Sequence, residues 1–518
     1  MLAPADRIKF ASQNVVQSLP PLIAPVKGWN TRDALDAMDP ADAVILQNWF
    51  PDAGGAIVRN GFAPYAYGMG TDPVNTLAEF YSGGTRKFIA ACGGSFYDVS
   101  AGGAVGAALA SGFSTQPWQT VAFLSKLFFF NGSDAAQIYG GSTFSNASFS
   151  GVTTSTLVGG IAYQNRLLMW ATASTGFWYA ALNSISGSVS FFDLSPFTPH
   201  GGNLTAAATF SHDGGNGVLD FVVFMMSSGD CLLYYGNDPG DINNWQLVGI
   251  YRISPPVSPR AVCNYGAEAF VTTFDDHVPL QQQLAALRDG RLPPRSKVSS
   301  AVQAAVQANL NGFGWQALYY PAGRRLIFNI PNTDGTFSQH VQNTEITYTD
   351  STTGVTASPW CEFINMNAYT WGLFDNGLYF GAADGQIFQA DTGTLDDTSA
   401  IQANAQQSWN TFGDPQRKRF TAARPVMQIT GAATYALGLG FDYGPISITM
   451  DVTTSATGTP WNVSPWNTSP WSDEGEISTL WQASGGEGVA VSVALSMAST
   501  LGATWLRTDF KAERGMLL

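Results

Sequence analysis

The sequence predicts a mainly β protein: a β-propeller of six to seven blades with a helical insert, joined to a β-sandwich-like platform domain. Three observations predict it. Charged residues make up only 12% of the chain against a usual ~25%, while aromatics reach 13% and Gly (55) and Pro (27) are plentiful. That profile suits short strands joined by tight turns. From about residue 71 to 394 the pattern of strand, tight turn, strand recurs at spacings that propeller blades produce. Beyond about 395 the texture changes to longer alternating stretches such as "ISITMDV" and "VAVSVALSM", which suggest a closing sandwich. A chain of 518 residues is long enough for two to four domains or one very large β architecture, with a large core.

Residues 1–70 form an N-terminal platform segment in this scheme. A helix is expected from Pro40, because Asp39 can cap it, Pro40 suits the first helical position, and "ADAVILQNW" follows. "NWFPDAGGAIVRNGF" then reads as a Gly-Gly turn between extended pieces. A ring brings its two ends together, so residues 1–70 are expected to join the C-terminal domain.

Residues 71–394 supply the propeller. "LAEFYSGGTRKFIAACGGSFYDVSAGG" reads as three short strands with Gly turns. The same pattern returns in "TVAFLSKLFFFNGSDAAQIYGG", "GIAYQNRLLMWATASTGFWYAAL", "LDFVVFMMSSGDCLLYYG", "RAVCNYGAEAFVTTFDDHVPL", "ALYYPAGRRLIFNI" and "AYTWGLFDNGLYFGAADGQIFQADTG". One such unit cannot bury both of its faces, so several must stack radially. Residues 279–311 interrupt the series with the Ala- and Gln-rich segments "LQQQLAALRDG" and "SSAVQAAVQANLNGF", read as a helical insert half-packed on a blade. Ser299 or Ser300 is the expected cap of its second helix.

Residues 395–518 form the C-terminal platform domain. "SWNTFGDPQRKRFTAARPV" carries a basic run, Arg417, Lys418 and Arg419, with Arg424 close behind. Within the domain, "TPWNVSPWNTSPWSD" places Trp461, Trp466 and Trp471 five residues apart, each after a proline. An offset of five puts successive side chains on opposite faces of a strand, and the prolines forbid a helix. The segment is therefore a ladder of turns presenting indoles, which pack on each other or meet a second subunit.

The net charge is −14, which argues against gripping nucleic acid, since phosphate contacts need Lys and Arg. The four cysteines, Cys92, Cys231, Cys263 and Cys361, show no metal or disulfide spacing and read as buried thiols. The opening stretch lacks the apolar core of a secretory signal, and no run approaches the ~20 apolar residues of a membrane helix. Maturation in a cytoplasm without stable membrane association is the expectation.

Catalytic sets are scarce. The histidines His200, His212, His277 and His340 form no metal-binding pair motif, and there is neither a nucleophile elbow nor a P-loop. Asp275-Asp276-His277 precedes Pro279 and reads as a turn before it reads as a metal site. Asp220, Asp230, Asp238 and Asp241 are candidates for glycoside hydrolysis, but loop aspartates are equally expected from turn chemistry. No enzyme activity, cofactor or metal is expected.

Several stretches resemble the tail nozzle, or tail tubular, proteins of short-tailed bacteriophages. The N-terminal part carries Gly28, Asn30, Asp33, Asn48, Trp49, Gly54, Gly55, Arg59 and Gly61 in the family's order. "YYGNDPGDINNWQLVG" (234–249), "HVPLQQQLA", "SQHVQNT" with "PWCEF", "LYFGAADGQIFQADTG" and "KRFTAARP" follow in sequence. The spacer "EITYTDSTTGVTAS" departs from the family pattern and reads as a loop insertion. The family often carries tryptophans five apart as Trp-Asp, where this chain has Trp-Asn and Trp-Ser. The resemblance implies a structural virion protein: a hexameric ring below the portal adaptor that lines the channel for DNA ejection. It implies assembly in the host cytoplasm, residence in the virion tail, and contact with tail fibre or needle proteins. DNA would pass without specific binding, helped by like charge on the wall. Partner or protomer contact is expected through Trp29, Arg32, Asp33, Trp49, Arg59, Arg417, Lys418, Arg419, Trp461, Trp466 and Trp471. The alternative expectation is a carbohydrate-binding or carbohydrate-active β-propeller, with exposed aromatics and Asp-rich loops meeting sugars.

Overall fold

Apolar runs such as "KLFFF" (126–130) and "RLLMWA" (166–171) set the architecture, because alternate residues of a strand must each find a separate core. A computed structural model describes residues 16–213, 218–430, 433–453 and 476–514. Within them, Leu127 and Phe129 enter one core while Phe128 and Phe130 enter the next. In the following sheet, Leu167 and Met169 share the core of Phe128, whereas Leu168 and Trp170 face the sheet beyond. Val222 and Phe224 divide from Val223 and Met225 in the same way. Each of these strands is buried on both faces, which is why it reads as an unbroken apolar run rather than an alternation.

The chain is mainly β, and among the described residues its two α-helices are Leu280–Arg288 and Ser299–Asn309. Seven antiparallel sets of strands follow one another, here numbered as sheets, the sixth and seventh being joined into one larger sheet through Asp42–Gln47, Ser399–Gln407 and Phe62–Tyr67. The first comprises Val74–Ser82, Thr85–Cys92, Ser95–Asp98 and Ala110–Ser111, and the second Gln119–Phe123, Lys126–Phe130, Gln137–Tyr139 and Phe144–Asn146. The third runs through Leu157–Tyr163, Arg166–Ala171, Gly176–Tyr179 and Ser190–Asp193. The fourth runs through Leu204–Asp213, Val218–Met226, Asp230–Gly236 and Trp245–Arg252. The fifth has three strands, Val262–Tyr265, Glu268–Thr272 and His277–Pro279, and leads into the helices. The sixth starts at Gln316–Tyr320 and continues through Arg325–Pro331, Phe337–Asn343 and Trp360–Phe363. The seventh holds Thr370–Phe374, Gly377–Gly381 and Ile387–Ala390.

The first strands of consecutive sheets lie side by side, and Thr370–Phe374 of the seventh returns to Val74–Ser82 of the first. A closed ring of radial sheets is the arrangement of a β-propeller. Four of the first hairpins, in sheets one, two, three and seven, turn over two residues with positive φ: Gly83-Gly84, Leu124-Ser125, Gln164-Asn165 and Asp375-Asn376. Two positive φ values in a two-residue loop match the right-handed twist of the strands it joins.

The seventh sheet takes its outer strand from the other end of the chain: Phe62–Tyr67 pairs antiparallel with Ile387–Ala390. Residues 1–70 therefore do not all join the C-terminal region as expected. Residues 62–67 close the ring, because their hydrogen bonds tie the chain ahead of the first sheet to the last sheet.

Most of the remaining strands form two layers that share a core, the first continuous with the sixth sheet through the pairing of Glu362 with Gln47. One runs Asp42–Gln47, Ser399–Gln407, Val491–Ser499, Thr434–Phe441, Ser447–Thr453. The other runs Trp49–Asp52, Gly55–Val58, Ala503–Arg514, Lys418–Ile429, with Gln482–Gly488 and Glu476–Ser478 beyond. Phe420 of the second sheet meets Phe441 of the first at 5.5 Å between ring centroids, and Leu437, Leu495, Met427 and Phe510 belong to the same core.

Two local expectations are corrected. The helix at Pro40 is a strand, Asp42–Gln47, paired with Ser399–Gln407. Asp39 does bond the backbone, its Oδ1 accepting from the Ala41 N–H at 2.9 Å, but in a turn that launches a strand. Sheet pairing overrides the local helix signal. Neither Ser299 nor Ser300 caps the second insert helix: Val298 holds that position without a side-chain bond, and Ser299 is buried in the first turn.

Candidate functional site

The residues singled out near the N-terminus converge where residues 28–61 cross between the ring and the two-sheet unit. Trp29 is buried, its Nε1 donating to the Val44 carbonyl at 3.1 Å and its ring edge-on to His340 at 5.1 Å. Asn30 organises the next turn. Its Nδ2 donates to Asp33 (2.9 Å) and Asp42 (2.8 Å), and its Oδ1 accepts from the Arg32 and Asp33 amides. Asp42 in turn takes the Lys297 ammonium at 2.5 Å, tying the strand 42–47 to the insert 255 positions away. Arg32 spans Asp33 (2.8 Å), Asp350 (2.9 Å) and the Arg295 carbonyl (2.8 Å). Burial opposes ionisation of Asp33, but the bonds from Arg32 and Asn30 outweigh it and hold the carboxyl below its usual range.

The second half of the joint centres on Asn48, which adopts φ 59°. Its Oδ1 accepts from Arg59 Nε (2.8 Å) and from the Ile364 amide (2.9 Å), and its Nδ2 donates to the Gln402 carbonyl (2.7 Å). One side chain thus ties the hairpin 49–58 to the sixth sheet and to the strand 399–407. Arg59 meets Asp396 through both guanidinium arms, each at 2.7 Å, and also donates to the Ile364 carbonyl at 3.0 Å. Gly61 is required beside it, since a Cβ there would overlap the Leu395 carbonyl. Gly55, at φ +153°, sits against the Trp505 carbonyl in the same manner. Trp49 is fully enclosed and packs on Trp505 at 6.2 Å.

This placement corrects part of the expected contact surface. Trp29, Trp49 and Arg59 are interior to this chain, so they cannot reach a second one. Arg32 and Asp33 are largely enclosed and bonded to Asp350 and Asn30. These residues fix how the N-terminal segment sits against the ring.

The basic run divides. Lys418 is buried, and its ammonium donates to the carbonyls of Thr411 (3.1 Å), Asp414 (2.6 Å) and Gln416 (3.0 Å), closing the loop that precedes its strand. Arg417 and Arg419 flank it in solvent, with loose ion pairs to Glu487 (3.8 Å) and Glu513 (3.9 Å). Strand alternation makes the difference: one residue of the run points in and its two neighbours point out. Trp461, Trp466 and Trp471 lie outside the described residues. The strands on either side of them, Ser447–Thr453 and Glu476–Ser478, belong to opposite sheets of the two-sheet unit.

The candidate chemical groups are locally occupied. Asp276 accepts from the Ser296 amide at 2.7 Å and from the Ser296 hydroxyl, within a turn closed by Thr273. His277 is buried, between Thr272 Oγ1 (3.0 Å) and His340 Nδ1 (3.0 Å). Asp220 bonds Ser211, Asp230 bonds His200, Asp238 pairs with Arg166, and Asp241 holds Asn243 and Asn244. Among the described residues no three His, Cys, Asp or Glu side chains gather in a group that could hold a metal, and no helix is long and apolar enough to cross a membrane. The His277–His340 pair and the Asp396 partner of Arg59 carried no sequence signal, since each joins residues far apart in the chain.

Fold and joint together define a mainly β protein in which a propeller ring and a two-sheet unit are locked by one N-terminal segment. No family model matches the chain, and no curated protein matches it either. Among solved structures it is similar to YCF48 from Cyanidioschyzon merolae, at 10% identity and a TM-score of 0.34, over 63% of this chain and 98% of that one. BBS1N, solved in complex with ARL6DN, gives 11% identity and a TM-score of 0.36, over 64% of this chain and 98% of that one. At these scores the likeness is too slight to bear on function.

Proposed function

We propose that this chain is a structural virion protein, the subunit of a hexameric nozzle ring in a short phage tail. It docks below a portal adaptor, contacts tail fibre or needle proteins, and lines a channel through which DNA is ejected. In this reading residues 71–394 are the propeller with its insert at 279–311. Residues 395–518, with most of 1–70, form a β-sandwich-like platform that carries the ring contacts.

The observation that carries the reading is the coincidence of the resemblance with the joint. Asn30, Asp33, Asn48, Trp49, Gly55, Arg59 and Gly61 carry the resemblance, and the same side chains and close approaches hold the N-terminal segment in place. A pattern that falls on framework positions speaks for a shared scaffold. Exposed apolar residues on the two-sheet unit and its N-terminal strands, among them Ile23, Ile45, Tyr443, Ile448, Ile477 and Leu480, are what a protomer-contacting platform would present. The net charge of −14 suits a wall along which DNA slides rather than sticks.

Negative-stain images of the purified chain test this directly. Six-fold rings are expected, and the W461A/W466A/W471A variant should form fewer of them while its propeller stays folded. A chain that stays monomeric at high concentration and is absent from purified virions would end the proposal.

One feature favours the carbohydrate-binding alternative. A cleft of about 210 Å³ at one end of the third and fourth sheets is lined by Gln164, Asn237, Asn243, Asn244, Gln246 and Tyr235. Amides and a phenol without a net charge suit neutral hydroxyls. Binding on a glycan array that is lost in N237A/Q246A would support that reading.

A further inference from the structure

The innermost strands of the ring begin at Val74, Gln119, Leu157, Leu204, Val262, Gln316 and Thr370. Ser258–Arg260, just ahead of the fifth of these, lies across that end of the bore. The Pro259 carbonyl accepts from Gln119 Nε2 (3.3 Å) in the second sheet. Arg260 reaches the Asn75 carbonyl of the first sheet with Nη1 (3.0 Å). Its Nη2 reaches Gln316 Oε1 of the sixth (3.2 Å) and Thr370 Oγ1 of the seventh (2.6 Å). In a ring of seven, the first and second sheets stand across the axis from the fifth, so this segment spans the bore.

Every one of these acceptors is neutral. A guanidinium has five N–H donors. Nη1 uses one and Nη2 two, while the Nε–H and the second Nη1–H have no partner among the described residues. No carboxylate among the described residues pairs with Arg260, although a chain of net charge −14 has carboxylates in plenty. Burial lowers Arg260 to about 10, which still leaves it charged at neutral pH. Arg260 is partly exposed, and its free N–H groups meet solvent rather than a carboxylate.

Arg260 also borders a cavity of about 270 Å³, open to solvent, between Pro117, Ser258 and the loop from Leu310 to Trp315. Among the described residues lining it, Arg260 is the one that carries a charge, and Asn311 adds an amide.

We propose that this cavity at the mouth of the ring binds a small oxyanion, a phosphate or a carboxylate, whose charge is met by the Arg260 guanidinium. Bound there, the anion neutralises the residue that ties the first, sixth and seventh sheets together, and so favours the closed ring. The inference is independent of any role in a virion.

The test is thermal unfolding of the full chain at constant ionic strength, with chloride replaced stepwise by inorganic phosphate or by succinate. An anion that binds only the folded state raises Tm in proportion to the logarithm of its concentration once above Kd. A rise with at least one of the two anions is expected, and which one responds identifies the oxyanion class. R260Q should lose that response, while R417A, which alters an exposed arginine elsewhere, should keep it. An unchanged Tm with both anions, or an equal rise in R260Q, overturns the proposal. Should R260Q fail to fold, calorimetric titration of the unaltered chain decides: saturable binding of one anion per chain supports the site, and no saturable heat with either anion rejects it.

Discussion

Arg59 and Asp396, 337 positions apart, form a two-armed ion pair with both contacts at 2.7 Å, the guanidinium fully enclosed and the carboxylate 8% exposed. The pair joins the end of the hairpin 49–58 to the turn that leads into the strand 399–407, so it sits where the chain enters and leaves the ring. Asn48 Oδ1 and the Ile364 carbonyl take further N–H groups of the same guanidinium.

Removing one partner strands the other. R59M is expected to cost about 3–5 kcal/mol, because it leaves Asp396 without its counter-ion. The double variant R59M/D396L should recover part of that loss. Urea unfolding of the four chains in a double-mutant cycle measures the coupling, and a cycle with no coupling would show that the pair does not hold the joint.

Close approach at Gly61 gives a second expectation. G61A places a methyl group on the Leu395 carbonyl and should destabilise by about 1–3 kcal/mol or more, the usual cost of overpacking. Gly54, in the exposed turn nearby, has open space where a methyl group would go, so G54A should change stability far less. Comparing the two Tm values separates packing from general glycine loss.

Acid should weaken the fold between pH 7 and 5. Burial depresses both members of the His277–His340 pair, His340 to about 3, so both stay neutral in the folded chain. Unfolded histidines take up protons near ~6.5, and stability therefore falls as pH drops below that value. Asp276 acts in the other direction. Burial raises it to about 6, so its contribution is present at low pH and fades as pH rises through 6. Two histidines outweigh one aspartate, and a lower urea midpoint is expected at pH 5 than at pH 7. H340Q should flatten that dependence, and an equally steep one in H340Q would remove the pair as its cause.

The basic run offers an internal control. K418M withdraws the ammonium from three carbonyls and should cost about 2–3 kcal/mol, in line with bonds to a charged group. R417A and R419A, with exposed side chains and ion pairs near 4 Å, should stay within about 0.5 kcal/mol. Denaturant midpoints of the three variants check the ranking.

The ring is legible in the sequence where the chemistry is local. "SGGT" (82–85) and "DNG" (375–377) announce hairpins through Gly and Asx residues, and the runs around Phe128 and Trp170 announce strands. Leu124-Ser125 takes the same positive-φ turn without any such residue, because pairing of Gln119–Phe123 with Lys126–Phe130 imposes it. The strand at 42–47 reads as a helix in isolation because Asp39 and Pro40 carry good helix-start chemistry. Its true partner, Ser399–Gln407, lies about 360 residues away. In the candidate site, Asn48 and Arg59 stand out in sequence, but nothing marks Asp396 or Lys297 as their region's counter-ions.

By itself the sequence determined that strands dominate, where many of them turn, and that apolar runs must feed two cores apiece, because backbone geometry and side-chain alternation act over neighbouring residues. Only the tertiary structure decided that residues 62–67 complete the seventh sheet, that Trp49 and Arg59 face inward, and that Arg260 crosses the bore. Those outcomes depend on which distant surfaces meet, and the free energy of burying them is a property of the assembled chain rather than of any stretch of it.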